Sequence, residues 1–119
     1  MRHWILGFCF VAIATALSAQ TPPTRPAAPA GNAQNGRKLF ASVGCYQCHG
    51  FEGQGGVGPR LAPRPTVFAT FSKYLRQPTG EMPPYTAKVV SDKDLTDIYS
   101  FLQSIPEPPS AQDIPILSK

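Results

Sequence analysis

The residues best suited to chemistry lie close together in residues 44–50, which read GCYQCHG. Two thiols and one imidazole, from Cys45, Cys48 and His49, fall within five residues of one another. The chain of 119 residues contains only three Cys and two His, so this stretch holds most of its thiols and imidazoles. Four kinds of site could use this spacing.

Three of the four explain the stretch poorly. A disulfide between Cys45 and Cys48 would close a very small loop, stabilise little and leave His49 without a role. Zinc needs four ligands, and this stretch offers three with no second pair elsewhere to complete the site. A thioredoxin-like dithiol belongs at the start of a helix in a β-α-β unit, whereas here a helical pattern precedes the pair and strands are missing.

The fourth site, covalent haem attachment, uses all three side chains. In a Cys-x-x-Cys-His motif both thiols add across the vinyl groups of one porphyrin edge, and the His ligates the iron from the proximal side. Five residues can match such a motif by chance. The interpretation therefore depends on companions elsewhere in the chain.

Two such companions are present. Met82 lies in the irregular stretch RQPTGEMPPY of residues 76–85. A lone Met usually fills a gap in a core, but beside this motif its thioether is a candidate second axial ligand, and Met/His ligation raises the reduction potential of electron carriers. Pro59 ends the Gly-rich part of a long loop, and its carbonyl could accept the free ring N–H of a proximal His.

The ends of the chain differ in composition from its middle. Residues 1–19 have a basic start, a short apolar run and a small-residue exit, which predicts a cleaved secretory signal and an exported, periplasmic protein. An uncleaved membrane anchor is the alternative. Residues 20–31 are predicted to be a flexible Pro/Ala-rich linker, residues 32–105 the folded domain, and residues 106–119 a Pro-rich tail.

Three helical patterns lie within the predicted domain. The first covers residues 36–43 and ends immediately before the Cys-containing stretch. The second starts after Pro65 with Thr66 as a candidate N-cap, and the third starts with Ser91 as N-cap and Asp94 three residues later, close to a capping box. No run alternates at period two, so an all-α fold of three to four short helices is expected.

Together these features resemble the small class I cytochromes c. The resemblance covers residues 32–105: the first helix leading into CYQCHG, the GxGP-x-L element at residues 56–61, the MPPY segment and the closing helix. It implies the class I cytochrome c fold, with short helices around a covalently attached haem. A buried porphyrin would also supply the apolar mass that a domain this small lacks. Candidates to line it, each also explained by ordinary core packing, are Phe68, Phe71, Tyr74, Leu75 and Tyr85.

The resemblance also implies roles for particular residues. Cys45 and Cys48 match the thioether cysteines of haem c, His49 the proximal ligand and Met82 the distal ligand. Pro59 matches the residue whose carbonyl orients the His, and Leu61 a packing contact on the haem. In that family the first and last helices cross at a small residue backed by aromatics, which here would place Gly36 and Phe40 against Ile98 and Phe101.

The implied function is electron transfer, with one haem cycling between Fe(II) and Fe(III), and not catalysis. The partners would be a dehydrogenase, an oxidase or a reductase, met as a shuttle or as a haem subunit. The alternative is a haem protein with an open sixth position that binds a small gas or acts on peroxide. A membrane would be involved only if residues 1–19 are kept.

The formal charge of +4 falls to +3 when Arg2 leaves with the signal. Two interpretations of the basic middle segment stay open: a rim that steers acidic redox partners, or scattered solubilising charge. Nucleic-acid binding is not expected, because the chain is predicted to be exported and its aromatic residues fall on helix faces. The basic side chains concerned are Arg60, Arg64, Lys73, Arg76 and Lys88.

Overall fold

The computed structural model describes residues 27–117. It contains helices α1 (Ala33–Ser42), α2 (Tyr46–His49), α3 (Phe68–Arg76) and α4 (Asp92–Ser104), followed by a short 3-10 turn at Ala111–Asp113. Residues 27–117 contain no strand, which confirms the predicted all-α class. The predicted signal at residues 1–19 and the first part of the linker lie outside the described residues.

Capping interactions set the starts of the two longest helices. The Asn32 side chain accepts from the Asn35 N–H at 2.9 Å and begins α1. Ser91 and Asp94 form a reciprocal capping box at the start of α4, with N–H to side-chain distances of 3.1 and 3.2 Å. The box predicted from the sequence is therefore confirmed, with Asp in the position that Glu or Gln usually takes.

The predicted cap of the middle helix is wrong. Val67 occupies the N-cap position of α3, and no side chain caps that helix. Thr66 lies one residue further out, where its carbonyl accepts the Tyr99 hydroxyl at 2.9 Å. This bond to α4 fixes where the chain enters α3, so tertiary contact decides the boundary here.

Helices α1 and α4 cross at Gly36. A Cβ at this position would overlap the Asp97 carbonyl and come within 2.9 Å of the Ile98 nitrogen, so only glycine permits the approach. Phe40 and Phe101 meet beside the crossing with ring centroids 5.5 Å apart. The predicted crossing is confirmed.

A buried carboxylate also joins the two helices. Asp97 is 2% exposed, and it accepts from the Asn32 N–H at 2.7 Å, the Asn35 side-chain amide at 2.8 Å and the Lys93 ammonium at 2.7 Å. The backbone bond from Asn32, followed by those from Lys93 and Asn35, lowers the pKa of Asp97 to about 2. The start of α1 is thus held to the middle of α4 by a fully ionised side chain.

Aromatic and aliphatic side chains of α1, α3 and α4 form most of the hydrophobic core. Two of the candidate lining residues, Phe71 and Leu75, are buried in it, whereas Tyr74 is 42% exposed. Beyond α4 the Pro-rich segment leaves Ile116 and Leu117 exposed. Within residues 27–117, every helix is too short or too polar to cross a bilayer.

Candidate functional site

A tight turn between α1 and α2 places the Cys-x-x-Cys-His stretch. Gly44 has a φ of +84°, a conformation that glycine adopts without strain, and it reverses the chain at the end of α1. Cys45 then precedes the single turn of α2, where the His49 N–H donates to the Cys45 carbonyl at 3.0 Å. Helix α2 is not evident in the sequence, because four residues are too few to show periodicity.

The three side chains of the motif differ in exposure. Cys45 and His49 are buried, with exposed fractions of 8% and 7%, whereas Cys48 is exposed. Both cysteines are free thiols. Cys45, the N-cap of α2, and Cys48 lie three residues apart, within one helical turn.

The chemical character of Cys45 is that of a protonated thiol. Burial raises its pKa to about 11, although the hydroxyl of Tyr85 acts in the opposite direction. A redox-active dithiol depends on a thiol whose pKa is lowered. The environment of Cys45 therefore does not make this cysteine a reactive thiolate.

The His49 ring is oriented by the loop that follows it. Its Nδ1 lies 2.8 Å from the Pro59 carbonyl oxygen, the contact that the sequence analysis predicted. Since a carbonyl only accepts, Nδ1 carries the hydrogen and Nε2 is the nitrogen with a free lone pair. A histidine held in this way is prepared to ligate a metal through Nε2.

Backbone hydrogen bonds fix this loop against the motif. The Gly58 N–H donates to the Cys48 carbonyl at 2.9 Å, and the Gly55 N–H donates to the His49 carbonyl at 2.8 Å. Leu61 is half-buried and donates its N–H to the Gly53 carbonyl at 2.8 Å. The loop is therefore an ordered support for His49, and the role of Leu61 as a haem contact stays a prediction.

Gly58 is a site residue that the sequence analysis missed. A Cβ there would lie 2.8 Å from Cε1 and 2.9 Å from Nδ1 of the His49 ring, closer than side chains pack. Its φ is not positive, so the requirement is steric and not conformational. The signal in the sequence is its place directly before Pro59, within the GxGP-x-L element.

Met82 lies on the irregular segment between α3 and α4. It is half-buried and packs against the hydrophobic core. Within the described chain, no hydrogen bond or ion pair joins residues 78–84 to another part of the molecule. The segment is therefore held through its ends and through the packing of its side chains.

Tyr85 ends this segment and is strongly tied to its surroundings. Its N–H donates to the Leu75 carbonyl at 3.0 Å, its carbonyl accepts from Arg76 Nη1 at 2.9 Å, and its hydroxyl donates to the Val43 carbonyl at 2.9 Å. Burial, and then the neighbouring Cys45, raise the pKa of Tyr85 as well, so its hydroxyl keeps its proton at neutral pH. In the sequence, Tyr85 is recognisable only as a candidate to line the haem or to pack in the core.

Three members of the basic middle segment are engaged within the chain. Arg60 Nε donates to the Gln54 carbonyl at 3.3 Å. Arg76 has a side chain only 21% exposed, and it bonds the carbonyls of Tyr85 and Val90 and the Asp92 carboxylate. Arg64 pairs with Glu107 at 2.7 Å. A basic rim that steers acidic partners would therefore depend mainly on Lys73 and Lys88, because the three arginines are bonded within the chain.

Two comparisons with known proteins find similar sequences. The family model described as "Cytochrome C oxidase, cbb3-type, subunit III" matches residues 31–102. The chain is 34% identical over 74 residues to the 4-cresol dehydrogenase (hydroxylating) cytochrome c subunit of Pseudomonas putida. That alignment covers 62% of this chain and 63% of the relative, so the chain spans less than two thirds of the relative's length. No solved structure matches the chain.

Proposed function

Because the chain belongs to the c-type cytochrome family, with covalently bound haem c and a haem electron-transfer role, we propose that Cys45 and Cys48 hold a single haem. The haem, when bound, supplies a one-electron Fe(II)/Fe(III) couple. The donor set fits this group: two free thiols on one helical turn precede an imidazole whose Nε2 is available. That juxtaposition is the observation that carries the proposal.

His49 is the proposed proximal ligand. The bond from its Nδ1–H to the Pro59 carbonyl fixes the ring orientation and makes Nε2 a better electron donor. Gly58 lets the ring lie directly against the loop. These residues keep the imidazole in place during electron transfer, so that little reorganisation is needed.

Met82 is the proposed second axial ligand. It lies on a segment without helical constraint, and its thioether is a soft donor suited to haem iron. With both His49 and Met82 holding the iron, water and small molecules would be kept from the metal, which would favour an electron carrier over the alternative with an open sixth position. Leu61 would pack on the haem beside these ligands.

We further propose that the partner is a redox enzyme, with a dehydrogenase as the first candidate. The support is the relative, which is named as the cytochrome c subunit of a dehydrogenase. In this proposal the chain accepts or passes electrons and leaves substrate chemistry to the partner. The exported location, in the periplasm, rests on the signal-like residues 1–19.

Replacement of Met82 tests the ligation. In the haem-loaded ferric protein, Met82→Ala should abolish the weak red charge-transfer band and allow cyanide to bind. Glu81→Ala is the matched control, because Glu81 is an exposed neighbour on the same segment. A Met82→Ala spectrum identical to that of the control would contradict Met82 ligation and leave the open-position alternative.

A further inference from the structure

We propose that Tyr85 is the positioning residue that holds the Met82 segment closed over the haem face of the motif. The inference rests on the proposed ligation by Met82. It concerns what keeps that ligand in place, and it begins from the absence of hydrogen bonds in residues 78–84 within the described chain. A segment without bonds of its own depends on its anchors.

Tyr85 provides the anchor on the C-terminal side of Met82. Two of its bonds, to the Leu75 carbonyl and from Arg76, tie its backbone to the end of α3. Another runs from its hydroxyl to the Val43 carbonyl at 2.9 Å. Val43 is the C-cap of α1 and stands two residues before Cys45. The hydroxyl bond therefore joins the methionine segment to the segment that carries the motif.

Two prolines between Met82 and Tyr85 couple the positions of these two residues. Pro83 and Pro84 have fixed φ angles, so the chain between Met82 and Tyr85 has little freedom to absorb a displacement. The connection spans at most roughly 10 Å. In this proposal, release of the Met82 side chain from a metal moves this segment and so strains or breaks the Tyr85 anchor.

A ligand that displaces Met82 thus has to overcome the hydroxyl bond in addition to the metal–sulfur bond. In the haem-loaded ferric protein, Tyr85→Phe should bind imidazole roughly fivefold more tightly than the unchanged protein. This factor corresponds to about 1 kcal/mol, the usual net contribution of one hydrogen bond. The ring is retained, so packing and folding should be preserved.

Tyr99→Phe is the matched control. Its hydroxyl also donates to a backbone carbonyl at 2.9 Å, that of Thr66, but it joins α4 to the start of α3. Both variants should lower the free energy of unfolding, measured with denaturant. Only Tyr85→Phe should change the imidazole affinity, because only that bond holds the methionine segment against the motif.

The outcomes separate this inference from the ligation on which it rests. If Met82→Ala binds imidazole no better than the unchanged protein, the ligation proposal fails and this one with it. If Met82→Ala binds imidazole more tightly while Tyr85→Phe does not, only the role of Tyr85 is refuted. Equal gains in Tyr85→Phe and Tyr99→Phe would also refute it, since they would report a general loss of stability.

Discussion

Replacing Gly58 with alanine tests whether the loop sets the orientation of the His49 ring. The new methyl group would lie 2.8 Å from Cε1 and 2.9 Å from Nδ1, whereas ordinary carbon contacts begin at 3.4 Å. The ring, the loop or both must therefore separate by about 0.6 Å. The same ring is held by a hydrogen bond, because Nδ1 bonds the Pro59 carbonyl at 2.8 Å.

The size of the effect follows from these distances. If the ring takes up the displacement, its bond to Pro59 lengthens towards the limit of a hydrogen bond and loses roughly 1 kcal/mol. If the loop takes it up, overpacking costs about 1–3 kcal/mol. We therefore expect Gly58→Ala to lower the free energy of unfolding by roughly 1–4 kcal/mol.

The same change should also shift the reduction potential of the haem. A weaker bond from Nδ1–H makes the imidazole a poorer electron donor, which destabilises Fe(III) relative to Fe(II). The reduction potential should therefore rise by tens of millivolts, at about 59 mV per factor of ten for a one-electron couple. A redox titration of the haem-loaded protein measures this, and denaturant unfolding measures the stability.

Gly80→Ala is the control for this pair of measurements. Its Cβ would meet only the Tyr74 hydroxyl, at 3.7 Å, which is an ordinary contact, and Gly80 has no positive φ. It should leave both the stability and the potential close to their original values. The reasoning is refuted if Gly58→Ala and Gly80→Ala behave alike.

Two further predictions concern the packing of α1 on α4. Gly36→Ala should destabilise the fold by about 1–3 kcal/mol, because the new methyl group overlaps the Asp97 carbonyl. This cost should exceed the gain from the better helix propensity of Ala. A variant that is more stable in denaturant unfolding would contradict the close crossing. Asp97 has a folded pKa of about 2 against 3.8 in the unfolded chain, so its contribution is present above pH 3.8 and lost as the pH falls towards 2. Asp97→Asn should lose roughly 1–3 kcal/mol at neutral pH, and the difference from the unchanged protein should shrink between these two pH values. A difference independent of pH over that range would show that the ionised form is not what stabilises the crossing.

Local patterns were sufficient for much of the fold. Gly36 and the apolar stripe of α4 are visible as spacing, and the Ser91–Asp94 box is visible as residue types, because each depends only on neighbours in sequence. Thr66 has the right chemistry for an N-cap, but α3 has Val67 as its N-cap, and the Thr66 carbonyl accepts from Tyr99 on α4. Such contacts between distant residues have no signature in a local window.

The site likewise contains residues that the sequence reveals and residues that only the fold reveals. Cys45, Cys48 and His49 are recognisable because covalent attachment fixes their spacing along the chain. Gly58 and Tyr85 are not, because their importance comes from contacts made through space with the His49 ring and the Val43 carbonyl. Arg76 reads as surface charge in the sequence, and only the fold shows that three acceptors surround it.

The two sides of the proposed haem site differ in how firmly they are held. His49 sits on α2 and is supported by backbone bonds from Gly55 and Gly58 to the motif itself. The Met82 side has no such bonds in residues 78–84 and depends on the anchor at Tyr85. If both residues ligate the iron, as proposed, the weaker side yields first under denaturant or an added ligand. Loss of the thioether should therefore precede loss of helix, and the order of these two events reports directly on the anchor.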